Sequence, residues 1–309
     1  MFDHLTFIAC PKPFPGHVGV IQRNAITSWT KLATTASVVL FGDEPGTREI
    51  AAELGLTHVP DVRRNNGVPV LDDVIGRAQR LRPQSLFCFI NSDIVLMDDF
   101  ARAVDRVRRA RSRFLLVGQR TDLDVSAALR FNDNVWQQSL RQTAAERGTL
   151  HGTYGIDYFV FTPGLFDPVP PLLIGRAAID NWLIYRARRR WAAVIDATPS
   201  VLAVHQNHDY SHHPEGHRGV FQGEDAQINW HLAGGHECRF WMTDRTHVLT
   251  PEVLRFDLSP AQLRRHWDRL PVLVPSTLRG PARAAHAATR AGGALLRAMG
   301  LRRGVGTAQ

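Results

Sequence analysis

A chain of 309 residues, 44% apolar and 21% charged, has the make-up of a folded protein with a sizeable core and excludes extensive disorder; it suffices for one large α/β domain or two lobes sharing a cleft. The formal charge of +8 arises from 37 Lys+Arg against 29 Asp+Glu, and the cations are almost all Arg, with Lys only at Lys12 and Lys31. Arg presents a planar fork suited to phosphate and carboxylate oxygens, although GC-rich coding yields the same bias, and no recognised nucleic-acid module accompanies the charge. Cys10, Cys88 and Cys238 are far apart and form no CxxC pair, which fits a reducing compartment. No window approaches the roughly 20 apolar residues needed to span a bilayer. No signal-peptide pattern precedes Pro11-Lys12-Pro13, so a cytoplasmic protein is expected.

In chain order, Leu5–Cys10 is a short apolar strand stopped by prolines, and Val18–Leu32 carries the three- and four-residue apolar spacings of a helix. Ser37–Gly42 is a β-branched strand ending in the turn Asp43-Glu44-Pro45-Gly46. Thr47–Leu54 reads as a helix closed by Gly55, Thr57–Val59 as a strand, and Pro69–Leu81 as a helix with Val70, Leu71, Val74, Ile75 and Ala78 on one side. Ser85–Ile90 is the clearest buried strand, followed by a helix over Asp99–Arg111 and a strand over Arg113–Val117. In the second half, Tyr158–Thr162, Ala192–Ile195 and Val201–Val204 read as strands, Ala178–Arg190 as a helix, and His205–Gly223 as a polar loop. From Ser259 an Ala/Arg/Leu-rich region follows, interrupted by Pro271, Pro275 and Pro281. Alternating strands and helices predict a mostly parallel central sheet covered on both faces, with ligands beyond the carboxyl ends of its strands.

Asn91-Ser92-Asp93 stands where the most apolar strand leaves the core. Mg²⁺ and Mn²⁺ take oxygen ligands, commonly one or two carboxylates plus substrate phosphates, so one acid at a strand end can anchor the metal of a diphosphate-bearing substrate. The same triplet can instead cap the next helix or form a plain turn. Asp122-Leu123-Asp124 is a literal Asp-x-Asp after another strand, either a rival metal site or a solvated turn. Asp93 is preferred because its strand is the more apolar and helical segments flank it.

Phe89-Ile90-Asn91-Ser92-Asp93-Ile94, Gly155-Ile156-Asp157-Tyr158-Phe159-Val160-Phe161 and Gly175-Arg176-Ala177-Ala178-Ile179-Asp180-Asn181-Trp182 resemble segments of glycosyltransferases of the A-type, nucleotide-diphospho-sugar transferase fold, particularly those similar to family 2. The resemblance spans roughly residues 5–235. It implies an α/β fold that moves a sugar from a nucleotide-diphosphate donor to a hydroxyl of a glycan or glycolipid acceptor, in bacterial-type glycan or glycolipid synthesis, with Mn²⁺ or Mg²⁺. Asp93 matches the last acid of the family's Asp-x-Asp, while Asn91 replaces the first and brings no charge to a metal. The organisation expected is a nucleotide-sugar-binding lobe over 1–125, an acceptor-binding lobe of the same catalytic domain over 126–257, and a basic helical or partly disordered extension over 258–309.

By the same resemblance, Pro11, Lys12 and Asp43 lie under the nucleoside and Asn91, Ser92 and Asp93 at the diphosphate. Asp43 equally suits ordinary turn chemistry, and Arg63 with Arg64 either reaches the base or phosphate or is simply solvated. Asp180 matches the carboxylate that takes a proton from the acceptor hydroxyl, or is a first-turn acid favoured by the helix dipole. Asp157 contacts acceptor or sugar, or is a buried acid facing Arg. His205, and after it His208, matches the histidine that completes the metal shell. Otherwise these two and the nearby His212 and His213 are polar loop residues, zinc being disfavoured by the missing Cys and the spacing. The basic C-terminal region can lie on anionic lipid at the inner face of a membrane or remain solvated. Two other readings stay open. A sugar-1-phosphate nucleotidyltransferase would need a Gly-rich loop unlike Cys10-Pro11-Lys12-Pro13-Phe14-Pro15, and a non-catalytic sugar- or lipid-surface binding protein is compatible with Asn91.

Overall fold

Strand β1 (Leu5–Ala9) is buried at every residue, as a strand must be when both faces of its sheet are covered. The computed structural model describes residues 4–32, 36–208, 219 and 221–298, with 292–298 as backbone alone; His212 and His213 lie outside these residues. After β1 come α1 (Gly16–Thr30), β2 (Ala36–Phe41), α2 (Thr47–Glu53), β3 (Thr57–Val59), the hairpin β4 (Arg64–Asn65) and β5 (Val68–Pro69), and α3 (Leu71–Leu81). Next are β6 (Leu86–Ile90), β7 (Ile94–Val95), α4 (Asp98–Ala110), β8 (Phe114–Val117), β9 (Arg120–Leu123), α5 (Trp136–Arg147) and β10 (Thr149–Leu150). The run closes with β11 (Tyr158–Phe161), α6 (Ile179–Arg189), β12 (Ala193–Asp196), β13 (Ala203–Gln206), α7 (Glu224–Leu232), β14 (His247–Leu249) and β15 (Leu254–Phe256). The period-3.6 signals are realised as buried faces: Leu71, Val74, Ile75 and Ala78 in α3, and Phe100, Ala103, Val104 and Val107 in α4.

Nine strands form one sheet in the order β15-β14-β12-β8-β11-β6-β1-β2-β3. It is an α/β fold with a mostly parallel central sheet. β1 runs parallel to both β2 and β6, so the residues that follow these three strands lie along one edge. β11 is antiparallel to β6 and β8, which the alternating pattern does not foretell. Its register pairs Tyr158 with Ile90, and the Asn91 N–H donates to the Asp157 carbonyl at 2.9 Å. The start of β11 therefore lies beside the end of β6.

A second sheet has the order β10-β9-β13-β7, which the alternation of strands and helices does not foretell. His205 pairs with Ile94 on one side and Asp122 on the other. Two expectations are corrected here. His205 and Gln206 are strand residues rather than the start of a polar loop, because β9 and β7 satisfy their backbone groups from both sides. Asp122 lies within β9, not after a strand. The helix α5 carries little apolar periodicity, since only Leu140 and Ala144 of its twelve residues are buried.

Aromatic packing ties α1 to the sheet. Trp29 stacks on Phe7 with ring centroids 5.5 Å apart, and Phe100 meets Tyr158 edge to face at 5.6 Å. The Trp29 Nε1–H donates to the Ile94 carbonyl at 2.9 Å, and the Leu96 N–H to Ser28 Oγ at 3.1 Å, so α1 also holds β7.

The chain divides into two compact units, Met1–Asp257 and Leu258–Gln309. In the second, α8 (Pro260–Leu273) starts at the Ser259 cap, with Pro260 at its first position, and α9 (Ser276–Ala298) follows. Of the three prolines expected to interrupt this region, only Pro275 lies between helices, where it leaves Val274 extended; Pro271 and Pro281 lie inside them. His286 meets Asp268 at 2.9 Å, and the Trp267 Nε1–H donates to Thr289 Oγ1 at 3.0 Å. No helix among the described residues is long and apolar enough to cross a membrane.

Trp29 is fully buried and both stacked and hydrogen-bonded. Trp29→Ala is expected to lower the unfolding free energy by about 3–5 kcal/mol, and Trp29→Phe by less, in urea titrations followed by circular dichroism.

Candidate functional site

β6 ends at Ile90, and the chain passes through Asn91, Ser92 and Asp93 before β7 begins. Asp93 is buried, with 9% of its surface exposed. The Asp93 backbone carbonyl accepts from the Gln206 backbone N–H at 3.3 Å and from Gln206 Nε2 at 3.1 Å. Gln206 is itself fixed: it donates to the Ile21 carbonyl at 2.7 Å and accepts from Asn24 Nδ2 at 2.9 Å. This lattice of buried amides sets the direction of the Asp93 side chain.

That side chain meets two imidazoles. Asp93 Oδ2 lies 3.0 Å from His208 Nε2 and 4.0 Å from His205 Nε2. One donor atom from each of Asp93, His205 and His208 falls within 4.8 Å of the others. Among the described residues, the buried Asp93 Oδ1 has no hydrogen-bond partner. Burial raises the carboxyl's pKa, but the His208 hydrogen bond and the positive charges of Lys12 and of His205 and His208 when protonated outweigh it, holding Asp93 well below the usual carboxylate range. Burial lowers the pKa of His205 more than the acids around it raise it, which favours a neutral imidazole with a free ring nitrogen.

Behind this group stands a second layer of charge. His205 Nδ1 is 3.0 Å from Asp122 Oδ1, His151 Nδ1 is 2.6 Å from Asp122 Oδ2, and Arg120 Nε is 2.8 Å from Asp122 Oδ1. Arg120 also donates to Asp157 Oδ2 at 2.8 Å, while Asn91 Nδ2 donates to Asp157 Oδ1 at 2.5 Å. Asp93 and Asp122, rivals in the sequence, thus flank the same histidine. Asp124 is exposed and accepts from Asn207 instead. Asp157 is a buried acid facing Arg120, and both of its oxygens are engaged. The Asn91 amide thus helps to orient Asp157.

The other strand ends gather along the same edge. Pro11 and Lys12 follow β1, and the Lys12 backbone is clasped by Gln22, whose Oε1 accepts from the Lys12 N–H at 2.7 Å and whose Nε2 donates to its carbonyl at 2.8 Å. The Lys12 charge acts on Asp93. Asp43 follows β2, exposed, with Arg64 Nη2 at 2.7 Å. Arg64 reaches Glu44 as well, and Arg63 pairs with Asp72, so neither Arg is simply solvated. Ser92 is buried, and its hydroxyl has no partner among the described residues.

Asp180 lies in the first turn of α6, directly after Ala178, which adopts a left-handed φ of 81°. A non-glycine residue there costs about 1–2 kcal/mol, a strain kept at the turn that presents Asp180. Asp180 lines a cavity of about 820 Å³ together with Tyr154, Trp230, Arg239 and Trp241. Burial pushes its carboxyl up to about 6; the Asn181 N–H opposes this, and the Asp157 charge adds to it. Asp157, held by Asn91 and acting on Asp180, links the strand-end group to the cavity. Arg120, Asp122, Asn24, Gln206 and the two tryptophans carry no local sequence signal beyond the Asp-x-Asp already noted, because strand pairing brings in Arg120, Asp122 and Gln206 and helix or loop packing the others.

No protein-family model matches this sequence, and no curated protein does. Solved structures with a similar chain path include glucosyl-3-phosphoglycerate synthase from Mycobacterium tuberculosis in complex with Mn²⁺, uridine-diphosphate and phosphoglyceric acid. It is 13% identical over 76% of this chain and 80% of that one, with a TM-score of 0.43. A 4-diphosphocytidyl-2C-methyl-D-erythritol synthase is 9% identical over 64% of this chain and 90% of its own, with a TM-score of 0.39. Both have the nucleotide-diphospho-sugar transferase fold. These likenesses are of chain path alone.

Arg120 is only 15% exposed and neutralises two acids. Arg120→Ala is expected to destabilise the fold by about 3 kcal/mol at pH 7, because it strands Asp157 and Asp122 without their cation. Because Arg120 helps to hold the Asp122 carboxyl below its usual range, the deficit should shrink in acid as Asp122 protonates, which denaturant unfolding at pH 7 and in acid would reveal.

Proposed function

We propose that the chain is a glycosyltransferase moving a sugar from a nucleotide-diphosphate donor to an acceptor hydroxyl, assisted by a divalent metal. The observation that carries this reading is the convergence of Asp93, His205 and His208 just beyond a buried strand. The donor set fits a metal: Asp93 stays ionised, its Oδ1 is buried without a partner, and His205 favours its neutral form. Two imidazoles with one carboxylate suit Mn²⁺ better than Mg²⁺, which prefers oxygen. When bound, such an ion neutralises charge building on a departing diphosphate.

The protein's own groups have distinct tasks. Asp122, 3.0 Å behind His205, orients that ring as carboxylates commonly do for metal-ligating histidines. Lys12 supplies a cation beside the diphosphate, and Pro11 and Asp43, at the ends of adjacent parallel strands, face the nucleoside. Arg63 and Arg64 act there through the acids they hold. Asp157 fixes Asn91 and shapes the electrostatics of Asp180. In the inverting reaction, the acceptor oxygen attacks the sugar's anomeric carbon as the bond to the diphosphate breaks, and the Asp180 carboxylate receives the hydroxyl proton.

Isothermal titration with UDP and GDP tests the donor site. Mn²⁺ should strengthen binding of one of them at least tenfold in the native chain and leave Asp93→Ala unaffected. Metal-independent binding that survives Asp93→Ala would rule the mechanism out. Release of pyrophosphate from a nucleoside triphosphate and a sugar phosphate would favour the nucleotidyltransferase reading instead.

The Asp180 carboxyl sits at about 6, and only its ionised form accepts a proton. kcat/KM should therefore rise about tenfold per pH unit below 6 and level off above it. Asp180→Asn should lower the rate by about 10²–10⁴-fold and abolish this profile. Because a raised carboxyl pKa penalises the folded state once the group ionises, Asp180→Asn should be the more stable protein above pH 6. That advantage should vanish below pH 4, where the acid is protonated in both folded and unfolded states.

A further inference from the structure

The cavity beside Asp180 has chemistry that the donor site does not use. Its volume of about 820 Å³ lies toward the upper part of the roughly 300–1,000 Å³ typical of small-molecule pockets. One wall is a face of α7, where Gln227, Trp230 and His231 recur at helical spacing. That wall is rigidly held. Asn229, fully buried on the opposite side of the helix, donates to the Leu173 carbonyl at 3.0 Å and the Ala177 carbonyl at 2.9 Å, and accepts from the Leu173 N–H at 2.7 Å. Trp230 is further fixed by the Arg239 guanidinium, 4.1 Å from its ring centroid. Trp241 and Tyr154 complete an aromatic lining, and Tyr154 is left 64% exposed.

Water-facing aromatic surface is retained where a ligand covers it. Aromatic faces are electron-rich and attract the weakly positive C–H bonds on the flat side of a pyranose ring, while Gln and Asn amides match its hydroxyls. The fixed charge of the lining does not favour a small polyanion, its two histidines, His231 and His236, belonging to a residue type that is mostly neutral at about pH 7. Among the described lining residues, Arg239 is the one Arg, there is no Lys, and that Arg lies over Trp230. Asp180 adds negative charge to the same space. The nearby Arg176 is neutralised by Asp225 at 3.1 Å.

We propose that this cavity binds an uncharged saccharide as the acceptor, its ring faces against Trp230 and Trp241 and its hydroxyls on Gln227 and Asp180. The assignment rests on the glycosyltransferase reading for the word acceptor, but the binding itself can be measured independently. Maltotriose, cellotriose and chitotriose are titrated calorimetrically into the full chain, with glycerol 3-phosphate as the anionic probe. At least one saccharide should bind, and Trp230→Ala and Trp241→Ala should each weaken it tenfold or more. Gln227→Ala, at an exposed position of α7 that disturbs no packing, should weaken it severalfold and keeps the test valid if a tryptophan variant misfolds. All three variants should retain the Mn²⁺-dependent nucleotide affinity of the native chain. Tighter binding of glycerol 3-phosphate than of every saccharide, no saccharide binding at all, or binding indifferent to all three substitutions would overturn the proposal. Saccharide binding without any nucleotide binding would sustain the cavity assignment and count against the transferase reading alone.

Discussion

Burying carboxylates is the constraint around which this structure is arranged. Asp93 and Asp157 are nearly inaccessible and Asp122 only partly exposed, and an isolated ionised acid in such places would cost several kcal/mol or more. The fold compensates by threading Arg120 between Asp122 and Asp157 and by setting His205 and His208 against Asp93. Compensation is incomplete at Asp93. Asp93 Oδ1 lacks a partner among the described residues, and a buried acceptor left in that condition is what an incoming cation can satisfy.

The opposite device operates at Asp180. There, desolvation is left largely uncompensated, so the carboxyl is pushed up to about 6 rather than down. Two acids in one molecule are thereby driven apart: Asp93 remains charged at any physiological pH, whereas Asp180 sits where a proton is readily gained and lost. Such divergence suits chemically identical side chains to different chemical tasks. Asp157 connects the two, since it is bonded to Asn91 near one and acts electrostatically on the other.

Antiparallel β11 is what makes this connection possible. A wholly parallel sheet would place the start of each strand at the far edge from the ends of its neighbours. Reversing one strand brings Asp157, which precedes β11, next to Asn91, which follows β6. The smaller sheet does the same for the histidines, pairing His205 with Asp122 on one side and Ile94 on the other.

Local pattern alone determined much of the scaffold. The apolar runs over β1, β2 and β6 and the helical periodicities of α3 and α4 appear where the sequence places them, because burial of a face requires a period that can be read directly. The resemblance around Asn91-Ser92-Asp93 and Ala178-Ile179-Asp180 likewise directed attention to acids that the fold presents at a strand end and a helix start. Only the tertiary structure decided their company. Gln206, Arg120 and Asp122 lie far from Asp93 along the chain, and hydrogen-bond register, a long-range quantity, determines which residues meet. It also placed His205 inside a strand that local polarity had disguised as a loop, and it closed an aromatic cavity from segments that show no common pattern in sequence.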